Sequence, residues 1–302
     1  MIDRRTLLIA SAALAACSKR PRIRIGYQNG LLLIAKARGD LDDVAKVVWH
    51  GYAAGPPLLE AMSVGGIDLG GTGDTPPIVA QSQGARIVYV AAQPVSGAAA
   101  AILVPAGSKL QTAAELRGKR VAWLRGTSAE RFVRTALAAA GLTPVDVEAV
   151  NLAPDDAAAA FAGGSLDAWA VWDPYFASAE VEHRARVLVG GASLAASLSF
   201  LTANADFAKA QPDTLRAVLS ALKATAAWAT TNRKGLADIM ATAAGLTPHV
   251  AARVAARQDL ALVPLDAAIM AAEQKVADAL LAQGTIPARV DVATLRWNGW
   301  RG

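Results

Sequence analysis

A chain of 302 residues with 54% hydrophobic and 18% charged residues is too long for one comfortable core and too apolar to remain disordered, so two folded units are expected. The formal charge of +5 makes the surface mildly basic, but Lys and Arg are scattered. Even the densest group (Lys19, Arg20, Arg22, Arg24) lacks interleaved aromatic residues, which argues against a nucleic-acid partner and leaves only a general pull on small anions.

The N-terminus reads MIDRRTLLIASAALAAC. Arg4 and Arg5 form a basic n-region, Thr6 to Ala13 an apolar stretch, and small residues follow, the layout of an export signal over residues 1–16 and too short for a spanning helix. Leu14-Ala15-Ala16-Cys17 resembles the bacterial lipobox, which makes Cys17, the single cysteine, the expected lipidation site and the periplasm the expected compartment. The paired arginines also resemble part of a twin-arginine signal.

Apolar runs then alternate with helical patterns. RIRIGY (22–27), AKVVWHGY (45–52) and ARIVYVAA (85–92) read as strands, with helices near 31–38, 56–64 and 76–83 between them. The alternation continues through AILV (101–104), RVAWL (120–124), a helix from Ser128, VEAVNL (147–152), a helix from Pro154 and LDAWAVW (166–172). Such βα alternation predicts an α/β fold with mostly parallel sheets. From Ala203 to about Gln283 the pattern is helical, with caps or stops expected at Pro212, Gly235, Pro248 and Gly284. The organisation that follows is a first lobe over 22–96, a second over 97–197, and a return to the first over 198–302, with crossings near Gln93–Gly97 and Ala196–Ser199.

The stretch GGTGDTPP (70–77) reads as a loop entering a helix: glycines allow close approach to the backbone, and Pro76 and Pro77 suit a first helical turn. A helix start offers free N–H groups and partial positive charge, which suits a small anion, while Asp74 or Thr75 is a natural cap. The dinucleotide fingerprint is missed because Pro76 stands where its third glycine belongs, and no cofactor is expected. An internal echo joins the two units: Gly65-Gly66-Ile67-Asp68 runs on to Asp74, and Gly163-Gly164-Ser165-Leu166-Asp167 runs on to Asp173-Pro174. A third helix start lies at RGTSAERF (125–132), with Thr127 or Ser128 as cap or ligand group. His50, His183 and His249 have no ligand spacing, so no metal is expected, and Gly126 to Glu130 misses the G-x-S-x-G elbow of a hydrolase.

YQNG (27–30), AGPPLLEAMSVGGIDLGGTGDTPP (54–77), RGTSAERF and AAFAGGSLDAWAVWDPYFA (159–177) together resemble the periplasmic aliphatic sulphonate-binding proteins of ABC importers, close to the taurine- and nitrate-binding proteins. The resemblance implies a class II periplasmic binding protein: two α/β lobes closing at a hinge on an anionic solute, delivered to a permease by what is expected to be a monomer that is not an enzyme. Carried onto matching positions, the ligand contacts fall on Gln28, Gly73, Asp74, Thr75, Thr127 and Ser128, with Trp172 and Asp173 on the opposite wall. A sulphonate only accepts hydrogen bonds, so hydroxyls of Thr127 and Ser128, the amide of Gln28 and backbone N–H groups are the expected donors. Asp74 is expected to cap or turn away. Asp173 is expected to cap its helix, with an amine on the solute as the alternative. Asn29, the apolar run Leu31–Ile34 and Leu201 depart from the family pattern at the tail end of the expected pocket. Taurine, nitrate or a thiamine-precursor pyrimidine remain as alternative solutes, and an enzyme on the same fold as the remoter one.

Overall fold

The structure, a computed structural model, describes residues 20–95, 97–191 and 197–302; the expected signal and Cys17 lie outside them. Two five-stranded sheets form its frame. In the first, β1 (Arg22–Tyr27) pairs in parallel with β2 (Lys46–Gly51) and β3 (Leu69–Gly73), while β10 (Ser197–Asn204) runs antiparallel between β3 and β4 (Ile87–Val95). In the second, β6 (Arg120–Trp123) pairs in parallel with β7 (Glu148–Asn151) and β8 (Ala168–Trp172), and β5 (Ala100–Val104) runs antiparallel between β8 and β9 (Arg186–Gly190). The sheets are therefore mixed rather than mostly parallel. The reason is topological: β5 and β10 each arrive from the other sheet across the hinge, and both enter against the direction of the strands they join.

GGTG is the second departure from expectation. Leu69–Gly73 is a strand, although glycine is a poor strand former, because β1 and β10 pair with it on both sides. The glycines answer to packing. A Cβ on Gly70 would come within 2.5 Å of Leu58 Cδ2, on helix α2 (Gly55–Ser63). Leu58 is fully buried, and the missing side chain lets α2 settle onto the sheet.

The internal echo is structural. Gly65 and Gly164 both turn at positive φ, 75° and 73°, after α2 and after a helix over Pro154–Ala162. Three residues on, Asp68 accepts from the Arg24 backbone N–H at 2.7 Å and from its Nε at 3.0 Å, and Asp167 accepts from Arg120 at 2.8 and 3.3 Å. Each pair ties the middle of a sheet's three parallel strands, β1 or β6, to the start of its neighbour β3 or β8. The following aspartates, Asp74 and Asp173, thus stand at equivalent strand ends in the two lobes.

Helices over Pro212–Thr231, Arg233–Ala243, Pro248–Arg257 and Ala267–Ala282 form the C-terminal third. Gly235 is no stop: it lies in the first turn of its helix and donates its N–H to the Asn232 side chain, which is the cap. Leu215, Val218, Leu219, Leu222 and Val254 join Ile23, Ile25 and Leu69 in one buried cluster, which fastens the first three of these helices, through Leu236 and Met240 as well, to the first sheet, while Met270, Ala277 and Leu280 of the last pack in a second cluster with Tyr89 and Phe200.

Candidate functional site

Between the lobes lies a cavity of about 260 Å³, walled by strand ends and helix starts of both. Gln28, Gly73, Thr127, Ser128, Trp172 and Asp173 line it; Asp74 and Thr75, expected among the contacts, do not. Both are buried behind Gly73, and their side chains bond to each other, Thr75 Oγ1 donating to Asp74 Oδ1 at 2.9 Å. Leu31, Leu32, Leu198, Leu201 and Leu260 supply apolar wall, together with Phe132 and Trp172. Trp169, three residues earlier and so on the opposite face of β8, instead packs in the core of the second lobe against Phe161 and Tyr175.

Four helices begin at the cavity wall: α1 (Leu31–Arg38), α2, α3 (Thr75–Ser82) and α4 (Ser128–Ala139). On α4 the carbonyl of Thr127 receives the N–H groups of Glu130 and Arg131, and the amides of Ser128 and Ala129 precede the first intrahelical bond. These backbone donors, with the positive end of the helix dipole, suit an anion. The hydroxyls are deployed differently from expectation. Thr127 Oγ1 donates to the Leu124 carbonyl at 2.6 Å, and Ser128 Oγ donates to Asp74 Oδ1 at 2.8 Å. The Gln28 amide donates to the Gly71 carbonyl at 2.8 Å. Each hydroxyl thus bonds a protein oxygen, because a strand end and a carboxylate lie within reach of it.

Asp74 does not cap α3; its carboxylate turns away from the cavity and into the protein. Its carboxylate, with a side chain 2% exposed, also takes Arg131 Nη2 at 2.6 Å from the facing lobe. Arg131 lines the cavity as well and was not among the expected site residues. Its only trace in the sequence is its position one helical turn after Ser128. Behind Asp74, Glu273 is 1% exposed and accepts from Tyr89 Oη at 3.0 Å. Burial, then the nearby Asp74 charge, push the Glu273 carboxyl well above its ordinary value.

Asp173 does cap its helix, accepting the Ala177 N–H on Oδ1 at 3.0 Å. The same oxygen lies 3.3 Å from Arg257 Nη1, on helix α10 (Pro248–Arg257) of the first lobe. Arg257 also pairs with Glu180 and stacks 4.0 Å over the Phe176 ring. Burial pushes the Asp173 carboxyl up to about 6, with Arg257 and the Ala177 bond opposing. The two echoing aspartates therefore each receive an arginine from the opposite lobe: Asp74 from Arg131, Asp173 from Arg257.

Two sheets linked by paired crossings, with a cavity enclosed where they face and helix starts directed at it, define a two-lobed solute-binding protein. The chain belongs to the NMT1/THI5-like family, whose model matches residues 34–234. A relative from Escherichia coli (strain K12), named as an aliphatic sulfonates-binding protein, is 36% identical over 297 residues, covering 96% of this chain and 93% of its own. The alkanesulfonate-binding protein SsuA of Xanthomonas axonopodis pv. citri, solved bound to MOPS, superposes with a TM-score of 0.87 at 37% identity over 93% of this chain and 99% of its own. The desulfurization enzyme DSZB shares the fold alone, with a TM-score of 0.70 at 18% identity over 92% of this chain and 96% of its own.

Proposed function

We propose that the chain is the extracytoplasmic binding component of an ABC importer and that its solutes are aliphatic sulphonates, released to a permease from the cavity between the lobes. The observation that carries this reading is the join of unpaired helix-start amides at Ser128 and Ala129 with a leucine-rich wall in one cavity. A sulphonate stays ionised at physiological pH and needs only donors, while its alkyl tail needs Leu32, Leu201 and Leu260. Hydrogen bonds to a charged group contribute about 1.5–3 kcal/mol each, so four or five such bonds fit roughly micromolar affinity after the costs of association.

Gln28, Gly73, Thr127, Ser128, Trp172 and Asp173 form the binding wall in this reading, with Asp74 and Thr75 acting from behind it. Residues 97–197 move as one lobe against 22–96 and 198–302, following the division of the strands between the two sheets. The protein works as a monomer in the periplasm, held at a membrane by a lipid on Cys17. Titrating the mature protein with short and long alkanesulphonates, taurine, nitrate, sulphate and an aminopyrimidine, followed by tryptophan fluorescence, tests the solute class. Tightest binding of nitrate or the pyrimidine would refute it.

A further inference from the structure

A second recess, of about 500 Å³, also runs between the lobes, outside the solute cavity. Val79 of α3 and Gly284 line it from the first lobe, and Arg125, Gly126 and Val145 from the second; none of them lines the solute cavity. It lies on the reverse of α4, where Ser128 and Arg131 face the solute cavity but Glu130 and Arg134 face this recess. The lobes touch at its wall, since a Cβ on Gly126 would lie 3.7 Å from Pro56 Cγ and 3.9 Å from Val79 Cγ1. The recess therefore has this shape only while the lobes are together. On the second lobe it reaches Ala149 of β7, the edge strand furthest in its sheet from β5 and β9, which lead into the hinge crossings.

Its lining combines a presented apolar group with one uncompensated charge. Val145 is 92% exposed, on a turn (Pro144–Asp146) fixed by a capping box in which Asp146 Oδ2 accepts from the Thr143 N–H and from Thr143 Oγ1, both at 2.8 Å. The carboxylates near by are taken: Glu130 pairs with Arg134 at 2.9 Å, and Asp146 pairs with Arg117. Val79, Gly284 and Thr285 of the facing lobe add no charge. Arg125 is exposed, and its guanidinium has no ion pair among the described residues. Resting on the importer reading, we infer that this recess is a docking point for the permease, whose extracytoplasmic loop sets a carboxylate against Arg125 and an apolar side chain against Val145 and Val79. A permease must tell the closed carrier from the open one, and a surface assembled from both lobes makes that distinction. A two-fold pairing of the same face would bring two uncompensated Arg125 groups into one interface, which argues against a second copy as the occupant.

The test makes two measurements on the same variants: the affinity of the mature protein for one alkanesulphonate, and uptake of that alkanesulphonate, labelled, by cells in which the variant replaces the wild-type chain. Arg125→Glu and Val145→Asp are expected to leave Kd within about twofold of wild type and to lower uptake at least about tenfold, since reversed or buried charge at a contact disfavours the complex and not the solute. Val64→Asp, at another largely exposed valine just past the far end of α2 from the cavity, is expected to change neither. Wild-type uptake by Arg125→Glu and Val145→Asp, an equal loss in Val64→Asp, or a loss of solute affinity that matches the loss of uptake would each overturn this inference and leave the importer reading standing. Sedimentation that shows the solute-loaded protein to be a dimer, broken by Val145→Asp, would give the face to a second copy and overturn it as well. Absence of uptake with the wild-type chain would overturn both.

Discussion

Gly73 and Ser128 face each other across the lobes so closely that one side chain occupies the space the other lacks. A Cβ built on Gly73 would fall inside contact distance of Ser128 Oγ, while Ser128 Cβ is an ordinary 3.5 Å away. In Gly73→Ala the serine hydroxyl must therefore rotate away, and rotation gives up its 2.8 Å bond to Asp74. Ser128→Ala deletes that same bond directly. Each single change is expected to cost closure about 1.5–3 kcal/mol, the worth of a hydrogen bond to a charged group, or roughly ten- to hundred-fold in Kd. The double variant is the discriminating measurement. With the hydroxyl gone, the new methyl meets only Cβ, so Gly73→Ala/Ser128→Ala should bind about as well as either single variant. Titration of all four proteins with one alkanesulphonate gives the double-mutant cycle. Additive losses would show that the glycine and serine act separately, and near wild-type affinity in both singles would remove the seam from the binding equilibrium.

Arg131→Met leaves Asp74 beside the buried Glu273 without its cation, so closure should weaken by more than either of those variants; scattering in the presence of solute should show a larger particle than wild type, and an unchanged envelope would count against the reasoning. Asp173 is protonated from about pH 6 downwards in the folded chain and from its ordinary 3.8 when unfolded, so its effect is to raise stability as pH falls through 6 towards 4, by up to roughly 3 kcal/mol. Asp173→Asn should flatten that rise in urea unfolding between pH 4 and 7, and an identical slope would refute the burial argument. Cys17→Ala should release the protein from membranes into the soluble periplasmic fraction, and retention of the variant would remove the lipid anchor.

The elements that bury one face were legible in the chain. RIRIGY falls where its alternation places it, and the helix over 31–38, although Leu31–Ala35 are all buried and carry no one-faced period, ends at Gly39, whose left-handed backbone supplies its stop. The echo was legible too, and the glycines and aspartates that mark it occupy equivalent positions. What the chain did not disclose was partnership. Arg131 and Asp74 are separated by 57 residues, and Arg257 and Asp173 by 84, and neither arginine differs locally from any other on a helix face. The same holds for GGTG, whose composition argues for a loop. Only the strands on either side, one of them arriving from beyond the second lobe, make it a strand. Side-chain donors were misjudged for a related reason: a hydroxyl turns to the nearest acceptor, and Leu124 and Asp74 become near only when the chain is folded.

The reciprocal arginines carry a consequence for how such a protein can be retuned. Asp74 stands behind the cavity wall, and the bond its carboxylate makes to Arg131 contributes to closing the lobes whichever solute is inside. The apparent affinity for every solute scales with the fraction of molecules able to close, so exchange of Asp74, which does not line the cavity, shifts all affinities by a common factor. The order in which solutes are preferred stays with the walls. Uptake sensitivity and chemical choice are thereby separable traits in this fold, the first adjustable at a seam that need not touch cargo and the second at Leu201, Trp172 and their neighbours.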